Sequence, residues 1–280
     1  MGLSSGDHPP VAIGGVGGSG TRLVADIVRR LGFHMGADLN VSVDNLWFTL
    51  LFKRFELGAE VQRSPEFDVA AEVFRRVMVG DARLSAEQIR WIRTLALTDR
   101  LHHNRAWLEE RVQTLLEADA AGSRAPVRWG WKEPNTHIFL DRLPEVFPGM
   151  RYIHVARNGL DMAFSANQNQ LQLWGPLLLG EAADVSPRAS LKYWCHVHRR
   201  VLRLGAGLPG RFLMLNYDVF CRRPDQYLPE LGDFLGVSID PGQQAALESL
   251  VHVPDSIGRF KSRSLALFDP VDVQYVQEVL

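Results

Sequence analysis

Val11-Ala12-Ile13-Gly14-Gly15-Val16-Gly17-Gly18-Ser19-Gly20-Thr21-Arg22 is the stretch on which the reading of this chain turns. Apolar residues run into a cluster of glycines. Leu23, Val24, Ile27, Val28 and Leu31 then follow at a spacing that places them on one face of a helix. The pattern is a buried strand, a tight turn and a helix. Glycines let the backbone approach a ligand with no Cβ in the way. The first helical turn points free N–H groups and the positive end of its dipole into that turn. Ser19 and Thr21 add hydroxyl donors, and Arg22 adds a fixed charge. The stretch therefore suits a phosphate.

The loop alone does not say which phosphate ligand. Gly15-x-Gly17-x-x-Gly20 fits the dinucleotide fingerprint, which also needs a second strand ending in an acid about 20 residues on. Asp38 is in range, but Phe33-His34-Met35-Gly36-Ala37 makes a poor buried strand. The Walker pattern wants Lys and then Ser or Thr after Gly20, where Thr21 and Arg22 stand.

The chain has 280 residues, 46% hydrophobic and 22% charged, which suits one large α/β domain over residues 1–280. With 31 basic and 32 acidic residues the net charge is −1. That balance disfavours nucleic acid as the main partner and leaves phosphate binding to local cations. Cys195 and Cys221 give neither a disulfide framework nor a ligand spacing, and no H-E-x-x-H occurs, so no metal site is expected. The apolar runs Leu46–Phe52 and Leu177–Leu179 are too short to span a bilayer. The N-terminus lacks the basic and apolar regions of a signal peptide. A cytoplasmic protein is expected, with no membrane span and with homo-oligomerisation left open.

Residues 1–10 read as a flexible lead. Residues 46–58 read as a helix whose aromatic face (Trp47, Phe48, Phe52, Phe55) belongs in a core, and 67–79 as a second helix. Helical pattern continues over about 86–120, broken near His102-His103-Asn104, with Ser85 and Gln88 forming a capping box. Residues 46–120 thus form a helical insertion between early strands, serving either as a wall of the site or as plain packing. Strands are expected at Arg128–Lys132, Arg151–Arg157 and Arg211–Tyr217. Helices are expected at Ile138–Val146, Asp161–Gln170, Pro187–Leu204 and Pro224–Leu235, and from Pro270, with a long Leu-rich loop over 171–187. Alternating strands and helices mean a parallel sheet with right-handed crossovers and ligands at the carboxyl ends of its strands. That rule gathers the Gly loop, Lys132-Glu133-Pro134, Arg157-Asn158-Gly159 and Tyr217-Asp218 at one edge. Arg157 closes a strand and Ser165 follows eight residues later on the next helix, a pair suited to gripping a second phosphate.

These motifs resemble those of the PAPS-dependent sulfotransferase family, of bacterial type. PAPS, 3′-phosphoadenosine-5′-phosphosulfate, carries phosphate at both ends. Gly17-Gly18-Ser19-Gly20-Thr21-Arg22 is similar to the family's 5′ loop. Arg157-Asn158-Gly159-Leu160-Asp161-Met162-Ala163-Phe164-Ser165 is similar to its 3′ motif. Ile257-Gly258-Arg259-Phe260-Lys261 resembles its late basic loop, and the likeness covers most of residues 11–268 outside the helical insertion. The resemblance implies a P-loop NTPase-like α/β fold: a parallel β-sheet flanked by helices, with a helical insertion. It implies transfer of a sulfuryl group from PAPS to a hydroxyl of a sugar, lipid or other small molecule, releasing 3′,5′-ADP (PAP), with no metal required. The donor would then be held by Gly17, Gly18, Ser19, Gly20, Thr21 and Arg22 at one end. Arg157, Ser165, Tyr217, Gly258, Arg259 and Lys261 would hold it at the other.

One position departs from the family. Many members carry Lys or Arg just before the Ser-Gly-Thr of the loop, where this chain has Gly18. The cation for the leaving 5′-phosphate must then be Arg22 or Lys132. As general base Glu133 ranks first, ahead of His137 and Asp44. Each has a plain alternative: an ion pair for Glu133, helix packing for His137, an N-cap for Asp44. Two other functions stay open on sequence alone: a P-loop kinase or nucleotide hydrolase, and a nucleotide-binding module that has lost catalysis.

Overall fold

β1 (Val11–Gly15) is flanked on both sides by parallel strands in the computed structural model, which describes residues 9–60, 64–80, 83–122, 126–180 and 184–280. The expected lead over residues 1–10 lies, up to residue 8, outside the described residues. β2 (Gly130–Lys132) pairs with β1 on one side, β3 (Arg151–Ala156) on the other, and β4 (Phe212–Asn216) pairs with β3, giving the order β2-β1-β3-β4. Ile13 sits opposite both Lys132 and Ile153, Gly15 opposite Val155, and Ala156 opposite Asn216. The carboxyl ends therefore lie along one edge, where the Gly loop, Lys132, Arg157 and Tyr217 follow them. The chain leaves β1 toward β2 and leaves β3 toward β4, in opposite directions. That makes the β1/β3 crevice the topological switch point, where open α/β sheets bind ligands.

Side chains alternate across the strands, so each face has its own core. Val11, Ile13, Ile153 and Val155 pack on the face covered by α1 (Thr21–Arg30) and α12 (Pro224–Leu235). Ala12, Trp131 and Tyr152 face the helices that follow α1 on the way to β2. Those helices are α2 (Leu46–Phe52), α3 (Phe55–Ala59), α4 (Pro65–Val79), α5 (Ala86–Thr94) and α6 (Arg105–Ala121). Phe48 stacks on Phe52 and Trp131, with ring centroids 4.5 and 5.6 Å apart, and Phe74 meets Trp131 edge-on. The aromatic face of α2 is thus core. Phe55 differs: it is partly exposed and stacks on Trp174. Ser85 and Gln88 form the expected capping box.

Several expectations are corrected. The helix expected over Ile138–Val146 is a 3₁₀ turn at Pro134–Phe139 and a short α7 (Leu143–Val146). The helix expected over Asp161–Gln170 stops early, as α8 (Gly159–Ala163). Beyond it the Ser165 hydroxyl accepts from the Asn167 N–H, and Gln168 donates to the Ser165 carbonyl. Such local bonds compete with helix continuation. The expected loop from residue 171 is largely helix, α9 (Asn169–Leu179), ended by Gly180 at φ 74°. Pro176 lies inside it, and Trp174, two residues earlier, is fully buried with its indole N–H donating to Asn135 at 2.7 Å. α10 (Pro187–Gly205) and α14 (Pro270–Val279) stand as expected. α11 (Tyr217–Arg222) and α13 (Pro241–Glu248) are additions.

Candidate active site

The Gly loop turns sharply between β1 and α1. Gly18 and Gly20 adopt φ of 91° and 94°, a region that strains any side chain. A Cβ at Gly20 would lie 2.1 Å from the ring of Tyr217, so only glycine allows that ring to close on the loop. At Gly18, φ 91° is a backbone angle that a lysine or arginine would adopt only with strain. Ser19 is buried, and its hydroxyl has no hydrogen-bond partner. An unpartnered buried hydroxyl beside the N-terminus of a helix is a ready donor for an anion.

A cavity of about 860 Å³ opens on this loop. Gly17, Gly18, Gly20, Thr21, Arg22 and Tyr217 line it from one side, Asn40–Asp44 and Lys132 from another, and Asn167 from above the loop. Lys132 is buried at the end of β2, and its ammonium donates to the Ser42 carbonyl at 2.9 Å and to the Asp44 carboxylate. Asn40 organises the loop that carries this acid. Its carbonyl oxygen accepts from the Ser42 and Asp44 N–H groups, each at 2.9 Å, and its amide donates to Asp44 at 2.8 Å. Val43 between them has φ 62°, an outlier for a β-branched residue. Strain of this kind persists only where the surroundings over-determine it. Asp44 does not cap α2; Asn45 does, accepting from the Phe48 N–H at 2.9 Å.

The structure does not bring the other two base candidates to this cavity. Glu133 is buried, and its carboxylate accepts from the Asn135 N–H and side-chain amide at 2.6 and 2.7 Å. It caps the 3₁₀ turn and does not pair with Lys132. Burial raises its pKa, with Asp44 adding to the rise, against Lys53 and the Asn135 bonds. His137 is wholly buried, with Nε2 3.2 Å from Gln170 Oε1, and burial lowers its pKa to about 3. Arg22, by contrast, is exposed on the first turn of α1 and lines the cavity.

The second group forms where β3 ends. Arg157 is buried, its Nη2 donating to Ser256 Oγ at 2.7 Å. Its Nε faces Asp218 Oδ1 at 3.7 Å, and neither atom has a hydrogen-bond partner. Its guanidinium carbon lies 6.0 Å from the centre of the Tyr217 ring. Arg259 comes close enough that burial first, then the charge of Arg157, lowers its pKa. Gly258 precedes it at φ 84°. Ser165 lies against the Gly loop, its Oγ 3.8 Å from the position of a Cβ on Gly18. Lys261 instead lines a separate cavity of about 280 Å³ with Arg222 and Asp218. From sequence, residues 33–45 read as an irregular polar stretch able to line a site facing the Gly loop, and Asn40–Asp44 do so, though Asn40 and Ser42 were not singled out and Asn167 was missed. The spacing Asn40-x-Ser42-x-Asp44 is the signal that an Asx turn was present.

Among the described residues, no helix is long and apolar enough to cross a membrane, and no cluster of three His, Cys, Asp or Glu is arranged to hold a metal. No curated protein matches the sequence significantly. The sulfotransferase domain of the Synechococcus PCC 7002 olefin synthase is similar in structure at 17% identity, with a TM-score of 0.52 over 99% of this chain and 98% of that one. A sulfotransferase from Alicyclobacillus acidocaldarius matches at 15% identity and a TM-score of 0.46, covering 97% of this chain and 95% of that one. The first likeness supports the parallel sheet and its helical flanks as the sulfotransferase fold. The sulfotransferase family model matches residues 9–241, spanning the Gly loop, Lys132 and the Arg157–Ser165 motif, and the chain thereby belongs to the sulfotransferase family and is a transferase.

Proposed function

We propose that the donor is PAPS and that its sulfuryl group passes to an acceptor hydroxyl at the Lys132–Asp44 end of the main cavity. The observation that carries this reading is one cavity lined jointly by the Gly loop, Lys132 and Asp44. The residues suit the donor. The Gly loop offers helix N–H groups and the unpartnered Ser19 hydroxyl to one phosphate. Arg157 with its unpartnered Nε, Arg259 and Ser165 suit the other. Arg22, Thr21 and Tyr217 flank the loop.

In this reading the acceptor O–H attacks sulfur in line while the sulfur–oxygen bond to the 5′-phosphate breaks. The proton goes to Asp44, and PAP leaves with its charge met by Lys132 and the loop N–H groups. Positioning and electrostatics supply most of the rate, as in phosphoryl transfer. Lys132 takes the role of the cation absent at Gly18, with Arg22 in support at the cavity mouth. Asp44 is the base because it is the carboxylate on the cavity wall beside that cation. Glu133 and His137 hold the frame behind it. Residues 9–280 act as one domain, and the helices from α2 to α6 serve mainly as packing.

The acceptor is a small molecule with a hydroxyl group, of sugar, lipid or similar kind. Val41 and Val43 on the cavity wall beside Asn40 and Ser42 suit an acceptor of mixed character. Incubation with labelled PAPS and a panel of hydroxylated acceptors tests the reading. Label transfer with stoichiometric PAP release is expected for at least one acceptor class. Transfer from a nucleoside triphosphate with no transfer from PAPS would overturn it.

A further inference from the structure

We propose that Asp161 is a positioning residue, a latch that seats the 256–261 loop on α8 and so sets Arg259 beside Arg157 before any ligand arrives. This rests on the reading of Arg157 and Arg259 as the 3′-phosphate site. Asp161 is 1% exposed, at the centre of α8. Its carboxylate makes two bonds to the loop backbone, Oδ2 accepting from the Gly258 N–H at 2.7 Å and Oδ1 from the Phe260 N–H at 3.1 Å. Those two N–H groups flank Arg259 in sequence, so the acid grips the loop on either side of the arginine. Gly258 at φ 84° supplies the turn that aims both N–H groups the same way.

The latch holds an arrangement that repels itself. Arg157 and Arg259 carry like charge within electrostatic reach, and burial and Arg157 together lower the pKa of Arg259 while Asp161 opposes them. Asp218 balances Arg157 from the other side at 3.7 Å, and the Asn158 N–H donates to Asp218 at 2.8 Å. Two cations set together by buried acids form a site prepared for a polyanion, since no reorganisation is then needed on binding. Charged acceptors of backbone N–H groups give the stronger class of hydrogen bond, which suits a latch. Ser256, on the same loop, accepts from Arg157 Nη2 and ties the arginine to it.

The test compares PAP with 5′-AMP, which lacks the 3′-phosphate, on the full chain by calorimetry. The wild-type protein is expected to bind PAP more tightly than 5′-AMP. Asp161→Asn keeps the shape but presents a donor where one acceptor stood, and should weaken PAP on the order of tenfold. Its 5′-AMP affinity should stay within about twofold, and KM for PAPS should rise with kcat kept. Equal weakening of both ligands, or of neither, would overturn the latch. A wild-type protein that does not distinguish the two ligands would overturn the two-phosphate reading itself, and the latch with it. Amide exchange on the ligand-free wild type gives a check that needs no variant. Gly258 and Phe260 N–H groups are expected to be protected already, and free exchange at both would overturn a latch set before binding.

Discussion

Lys132 and Asp44 are 88 residues apart in sequence and share an ion pair on the cavity wall, the lysine buried and the carboxylate partly exposed. In the function proposed above, Lys132 meets the charge of the leaving phosphate and Asp44 takes the acceptor proton. As the proposed proton acceptor, Asp44 is tested by Asp44→Asn, in which kcat should fall by about 10²–10⁴ with a smaller change in the KM for PAPS; an unchanged kcat would remove Asp44 from the chemistry. Lys132 was legible from sequence because a cation closing a predicted strand lands at the ligand edge. Asp44 was the weaker candidate because its placement depends on the Asn40 turn and on strain at Val43, neither visible as periodicity. Glu133 sat beside Lys132 in sequence, but successive side chains of an extended segment point to opposite faces. Gly20 shows the same lesson more simply. Gly20→Ala puts a methyl 2.1 Å from the Tyr217 ring at φ 94°. It should cost at least about 1–2 kcal/mol, read as a fall in the urea midpoint and in PAP affinity; a neutral result would mean the ring and loop are not closely packed.

At the scale of elements, the strands and the longer helices were legible because period and caps agree. Ser85 with Gln88 and Pro187 at the start of α10 are local signals that tertiary packing did not override. The breaks were not legible. α8 ends where Ser165, Asn167 and Gln168 exchange local hydrogen bonds, and α9 runs through Pro176 with Trp174 anchored in the core. Both outcomes matter to function, since the turn between these helices lays Ser165 and Asn167 over the Gly loop. α2 offers a stability test. Asn45 caps it and also donates to the Met35 carbonyl at 3.0 Å, fixing the end of the Asp44 loop. Asn45→Ala should cost about 1–2 kcal/mol by chemical denaturation and lower kcat as well; lost stability with kcat intact would separate α2 from the position of Asp44.

On the scale of the whole molecule, the sheet order places the Gly loop and Arg157 on the two strands that border the switch point, so the two proposed phosphate sites lie side by side. Behind them lies a core with an unusual titration. His137, His154 and His198 are fully buried, with rings 6.1 and 5.0 Å apart along that series and one unpartnered nitrogen each. Burial lowers His137 to about 3 and His198 to about 4, and holds His154 well below 6.5. The folded chain keeps them neutral while the unfolded chain takes up protons near 6.5. Their contribution is therefore complete above that pH and lost as pH falls toward about 4, at up to about 1.4 kcal/mol per group per pH unit. Glu133 and Asp218, whose pKa values burial raises, act with the opposite sign and offset part of the loss. Urea unfolding at pH 7.5, 6.5 and 5.5 should show stability falling in the last interval. His154→Gln should make that fall shallower; the same slope in both proteins would exclude the buried imidazoles as its source.

A donor with phosphate at both ends should stabilise the folded chain on binding. Thermal unfolding with PAP and with ATP–magnesium, run in parallel, tests it most directly. A ligand at 100 times its dissociation constant adds about 2.7 kcal/mol, a rise of roughly 5–10 °C for a chain of this length. That rise is expected with PAP, and its loss is expected in Arg157→Ala. A rise with ATP–magnesium and none with PAP would contradict it.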